Sequence, residues 1–118
     1  METLQTEVYT ALVSTGKPAT HANAMGSRNL PGITYYESDN QEGGRADGSE
    51  HNSEVEYTID VWETSPEECS ATGKLVHTKL ALLGLRRTFS YDVPDPEKGV
   101  FHKNMRYRGR ILKNEVYQ

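Results

Sequence analysis

Cysteine is almost absent from this chain: Cys69 is the only one in 118 residues. No internal disulfide can form, and no zinc site built on cysteines is available. Long apolar runs are missing too. The longest, about Leu80–Leu85, falls far short of the ~20 residues that span a bilayer. The first residues, Met1-Glu2-Thr3-Leu4-Gln5-Thr6-Glu7, lack the apolar centre of a secretory leader. Hydrophobic residues are scarce at 35%, which leaves one modest core and much solvated or partner-facing chain. Seven Tyr, one Trp and two Phe are nevertheless more than a disordered chain carries. The expectation is a soluble single domain over residues 1–118, made in a reducing compartment and not inserted in a membrane.

Acid dominates, with a net charge of −4, but unevenly. Residues 1–73 hold 13 acids against Lys17, Arg28 and Arg45, a balance of −10. Residues 74–118 hold ten bases against Asp92, Asp95, Glu97 and Glu115, a balance of +6. Halves of opposite sign pair within one copy or between neighbouring copies. The overall acidity argues against a protein that coats DNA.

Periodicity supplies the elements. Leu4, Val8, Ala11 and Leu12 recur at helical spacing within 2–15, and Gly16 and Pro18 supply the stop. Residues 19–29 show no period and read as a connector. Pro31-Gly32-Ile33-Thr34-Tyr35-Tyr36-Glu37 opens with a turn signal and continues as a strand. Residues 38–53 contain Gly43, Gly44 and Gly48 without one large apolar side chain, and read as a long mobile loop. In 54–62, Val55, Tyr57, Ile59 and Val61 take one face and Glu54, Glu56, Thr58 and Asp60 the other. Ser65-Pro66-Glu67-Glu68 then starts a helix with Cys69, Thr72, Leu75, Val76, Leu80 and Leu83 on its buried side, ended by Gly84.

Two strands follow. Arg87, Phe89, Tyr91 and Val93 share a face of the first, and Pro94-Asp95-Pro96 with Lys98-Gly99 makes the turn. In the second, Phe101, Met105, Tyr107 and Ile111 face one way, and His102, Arg106, Arg108 and Arg110 the other. Residues 112–118 read as a tail, frayed or docked on a partner. The fold class is α+β: a single domain in α-β-β-α-β-β order, helices packed on one face of a small, mainly antiparallel sheet.

The arginine stripe is the sharpest electrostatic feature. Alternation sets Arg106, Arg108 and Arg110 on one face, about 7 Å apart. They dock phosphate or carboxylate, pair across strands with Glu54, Glu56 and Asp60, or meet those acids on a neighbouring copy. Nucleic-acid binding needs aromatics interleaved on the same face, and Tyr107 points away from it. The loop residues Asp39, Glu42, Gly43, Gly44, Arg45, Asp47 and Glu50 make a poor phosphate cradle, because the run leads into a strand and its acids repel phosphate. The loop reads instead as one that a partner orders. His21, His51, His77 and His102 are scattered over different elements, so no metal spacing is present. With Cys69 on a buried helix face, no catalytic arrangement, metal or cofactor is expected.

Taken in order, the segments resemble the small tail-completion proteins of long-tailed bacteriophages and prophages, also described as tail-terminator or tail-to-head joining proteins. The residues that carry the resemblance begin with Pro31–Glu37, the Gly- and acid-rich loop and Tyr57-Thr58-Ile59-Asp60-Val61-Trp62. Leu85-Arg86-Arg87-Thr88-Phe89, the turn at 92–95, and Val100-Phe101-His102-Lys103 running into Met105-Arg106-Tyr107 complete it. The match spans roughly 2–112. The resemblance implies a structural protein that closes the tail tube as a ring, commonly a hexamer, and receives the head-completion or connector protein. Its partners would be itself, the tail-tube protein and the connector, with DNA passing through the lumen without specific binding. Its place would be the head–tail interface of the virion, after assembly in the host cytoplasm. The competing readings are a small nucleic-acid-binding module using Arg106, Arg108 and Arg110, and a neighbouring head-completion or connector component.

Overall fold

The long second helix shows how local sequence builds this fold. A computed structural model describes residues 4–22, 31–42, 52–94 and 99–112. Its elements are α1 (Leu4–Val13), β1 (Ala19–His21), β2 (Gly32–Glu42), β3 (Asn52–Glu63), α2 (Pro66–Leu82), β4 (Arg86–Val93) and β5 (Phe101–Leu112). At the start of α2, the Ser65 hydroxyl accepts from the Glu68 amide at 3.1 Å. Pro66 fills the first turn, where its missing N–H costs nothing, and Glu67 and Glu68 meet the positive end of the helix dipole. At the other end, Gly84 adopts φ +90°, a conformation glycine reaches without strain. The Gly84 amide then donates to Ala81 and the Leu85 amide to Leu80, closing the orphan carbonyls.

That turn drives Leu85 into the core, where it presses on β5. A side-chain carbon added at Gly109 would stand 2.5 Å from Leu85 Cδ2. Both Gly109 and Leu85 are buried. Gly109→Ala is therefore expected to cost about 1–3 kcal/mol through overpacking, and Gly109→Val more. Urea denaturation checks this; an unchanged midpoint would show that Leu85 moves aside freely.

The strands form one five-stranded sheet in the order β1-β2-β3-β5-β4. All neighbours are antiparallel except β1 and β2, which run parallel. The helices cover one face, and α1 and α2 also pack on each other. Val8 and Leu12 from α1, Val76 and Leu80 from α2, and Tyr57, Ile59, Met105 and Tyr107 from the sheet share one core. The alternation read from β3 and β5 holds at Val55, Tyr57, Ile59 and Val61 and at Met105 and Tyr107, all buried; Phe101, read on the same face as Met105, is exposed instead, and Thr58, read on the polar face, is buried.

Several expectations need correction. The connector begins with β1, whose three residues pair Ala19, Thr20 and His21 with Ile33, Thr34 and Tyr35. The expected loop is shorter: residues 38–42 belong to β2 and 52–53 to β3, paired through Asp39↔Glu56 and Gln41↔Glu54. Polar strands carry no hydrophobic signal, so they resemble loops in sequence. Leu112 likewise lies in β5. Leu75, expected inward, is 44% exposed, because it stands about 110° around α2 from the stripe of Cys69, Thr72, Val76 and Leu80. Gly73 takes the inner place instead.

Candidate functional site

The sheet face that the helices leave bare carries the charge. Along β3 and β5, register sets Glu54 opposite Arg110, Glu56 opposite Arg108 and Asp60 opposite Asn104. Arg108 is the hub. Its Nε reaches Glu54 at 3.3 Å, Nη1 reaches Glu56 at 3.3 Å, and Nη2 reaches Asp39 at 3.2 Å. Arg86 joins Glu54 from the far side at 3.2 Å. Contact with Asp39, then with Glu54, raises the Arg108 pKa. The Arg108 guanidinium, helped by Arg86, holds the Glu54 carboxyl below its usual range.

The depressed Glu54 pKa fixes the sign of a pH effect. This contribution is complete above the ordinary carboxylate value near 4.5 and is lost as pH falls through the lower folded value. The wild-type chain is thus expected to lose stability in acid more steeply than Glu54→Gln does. Thermal melting between neutral pH and pH ~3 checks it; parallel slopes would remove Glu54 from the account.

Asp60 serves a different group. His102 Nε2 lies 2.6 Å from Asp60 Oδ1, and Asn104 Nδ2 donates to the same oxygen at 2.8 Å. The His102 ring stacks on Trp62 at 3.7 Å and 12°. Trp62 Nε1 in turn donates to Thr34 Oγ1 at 3.2 Å. Alternation alone could not reveal this cluster, because only the register sets His102 opposite Trp62.

Of the six charged residues singled out in sequence, Glu54, Glu56 and Arg108 therefore meet within one copy. Asp60 sits apart from them. Arg106 lies over the Phe89 ring, 4.8 Å from its centroid, and Arg110 is exposed with no partner among the described residues. From the loop set, Asp39 and Glu42 are in β2, while Gly43, Gly44, Arg45, Asp47 and Glu50 lie outside the described residues.

Strand β4 departs most from expectation. A bulge between Arg87 and Phe89 breaks its alternation. Arg87 falls opposite Tyr107 on the helix side, whereas Phe89, Tyr91 and Val93 fall opposite Arg106, Asn104 and His102 on the bare face. One inserted residue flips every side chain beyond it. Phe89 and Tyr91, 40% and 51% exposed, thus share the arginine face, and the four residues read as one set are divided between two faces.

A recess of about 310 Å³ lies between the start of α2 and the β4–β5 end, lined by Pro66, Cys69, Val93, Val100 and Phe101 among others. Burial pushes the Cys69 thiol up, away from the reactive thiolate. Lys103 at its rim is bound to Asp92 at 2.8 Å. Among the described residues, no group of three or more His, Cys, Asp or Glu gathers as a metal site, and no helix is long and apolar enough to cross a membrane.

The family model for Tail completion protein gp17 matches residues 4–112. No curated protein matches by sequence. Among solved structures, the fold is similar to a chain in the virion of the native gene transfer agent (GTA) particle. The TM-score is 0.60 at 14% identity, covering 93% of this chain and 95% of that one.

Proposed function

Because the chain belongs to the tail completion protein gp17 family, a family of structural phage proteins, we propose that it caps the tail tube. On this reading it forms a ring, six-membered as the resemblance implies, and joins the tube to the head connector at the head–tail interface of the virion. The observation that carries the reading is the family match over almost the whole length, residues 4–112. The surface is consistent with it: one sheet face holds a core against two helices, while the other carries the Arg108 ion pairs beside the exposed Phe89 and Tyr91. A ring needs a heterologous interface that closes on rotation. The outward Arg106 and Arg110 contribute to it, and the Arg108 cluster with Glu54 and Glu56 stiffens the strands behind it. Asp60 does the same through His102. Acid residues such as Glu50 in the 38–53 segment meet a neighbour or an assembly partner.

Deleting the chain from a phage or prophage that encodes it tests this. Electron microscopy should show filled heads and separate tails, with purified protein restoring joined particles. Joined particles in its absence would overturn the proposal.

A second reading has one observation in its favour. Phe89 and Tyr91 share a face with Arg106, as a single-stranded nucleic-acid platform requires. Against it stand the net charge of −4 and the engagement of Arg108 by three carboxylates. Binding to single-stranded DNA at low salt that disappears in Arg106→Glu would favour it.

A further inference from the structure

The two ends of α2 carry complementary features. At its close, Leu82 is 79% exposed, more than any other large hydrophobic side chain among the described residues, and Ala81 beside it is exposed too. A lone exposed leucine needs no explanation of its own. Its counterpart lies at the other end of the same helix, about 25 Å away. There the recess of about 310 Å³ is walled by Pro66 and Cys69 of α2, by Val93 of β4, and by Val100 and Phe101. Phe101 is 37% exposed, so this apolar wall is open on one side. A cavity of about 150 Å³ holds a benzene ring, so the recess has room for a leucine side chain.

The charges around the two features are opposite in sign. Lys79 lies in the last turn of α2, and the exposed Arg86 and Arg87 follow where the chain enters β4. Beside the recess stand Glu67, in the first turn of α2, and Asp92, whose side chain is 79% exposed. Nearby cations are already engaged, Lys103 by Asp92 and Lys17 by Glu63 and Glu68. Lys74 stands about two turns beyond Glu67. Glu67 itself is exposed and has no partner among the described residues.

We propose that Leu82 of one copy seats in the recess of a second copy, with the basic end of one α2 set against the acidic start of the other. Projection and recess lie at opposite ends of one helix, so no copy fills its own. The contact is head-to-tail, the kind that closes into a ring. Burial of Leu82 supplies the attachment, and the flanking charges orient the copies and select the partner. The inference rests on the ring reading and specifies how its subunits meet.

The full chain, alone and with isolated tail tubes, is sized by light scattering and electron microscopy. Wild type is expected to form multimers of the 13.3 kDa chain. Leu82→Asp removes the apolar projection, and Ser70→Trp fills the recess from its rim. Each should need at least about tenfold more protein to associate. Both positions are exposed, so circular dichroism and melting should match wild type. An equimolar mixture of the two holds one intact projection and one intact recess, so it should stop at pairs. Oxidation with copper–phenanthroline gives a reading that does not depend on Ser70→Trp folding. Leu82→Cys should cross-link between copies through Cys69, which in its own chain lies about 20 Å away, beyond the ~7 Å that a disulfide permits. Leu82→Cys/Cys69→Ala should not. Multimers unaffected by Leu82→Asp and Ser70→Trp, a mixture that yields no pairs, or cross-links that do not need Cys69 overturn the seating and leave the ring reading intact. A chain that stays monomeric even on tail tubes overturns both.

Discussion

Tyr107→Ala is expected to lower the unfolding free energy by about 3–5 kcal/mol, as large-to-small aromatic changes in closed cores do. Tyr107 is fully buried on β5, in a row with Tyr57 on one side and Arg87 on the other. Its hydroxyl lies 3.0 Å from His77 Nδ1 on α2 and 3.8 Å from the Met105 sulfur. The ring therefore fills core volume and also ties the helix to the sheet. Burial raises the phenol pKa against the opposing pull of Arg87, so the hydroxyl stays protonated at neutral pH. Tyr107→Phe keeps the volume and removes the contact with half-buried His77, a loss of about 1 kcal/mol. A domain of this size is stable by only about 5–15 kcal/mol, so the alanine variant loses a large share. Urea denaturation at neutral pH separates the two variants. A loss below about 1 kcal/mol for alanine would mean that the site collapses around the void.

Tyr107 also shows which parts of the fold sequence alone reveals. Its inward direction follows from strict alternation in β5, as do Val55, Tyr57, Ile59 and Val61 in β3. Where one face is buried, period two is a strong signal. The same rule fails at Phe89 and Tyr91, because a bulge at Thr88 resets the count without changing composition. It is silent for 38–42, where β2 continues as a wholly polar run, Ser38-Asp39-Asn40-Gln41-Glu42. Of the charged site, Glu54, Glu56 and Arg108 are legible as complementary faces. That Asp39 completes the cluster, and that Asp60 turns to His102 instead, depends on register, which a single sequence does not state.

Glu63→Ala is the second large loss, about 2–3 kcal/mol, because it breaks a buried ion pair from one side. Glu63 ends β3 and is almost fully buried. Its carboxylate accepts from Thr72 Oγ1 of α2 at 2.7 Å and meets Lys17 Nζ at 3.3 Å. Lys17 stands in the turn between α1 and β1, after Gly16 at φ +91°. One side chain thus links three parts of the fold. Lys17 also reaches Glu68 at 3.5 Å, which keeps the expected loss below that of an isolated buried pair. Glu63→Gln retains an acceptor for Thr72 and should cost about half as much. Desolvation pushes the Lys17 pKa down, but Glu63 and Glu68 outweigh it and hold the ammonium above its ordinary value near 10.5. That contribution is complete below about 10.5 and is lost as pH rises through the higher folded value. A double-mutant cycle of Glu63→Gln with Lys17→Met isolates the pair, with an expected coupling of about 0.5–2 kcal/mol at neutral pH. The coupling should fade at strongly alkaline pH; a coupling near zero at neutral pH would make Thr72, not Lys17, the partner that holds Glu63 in place.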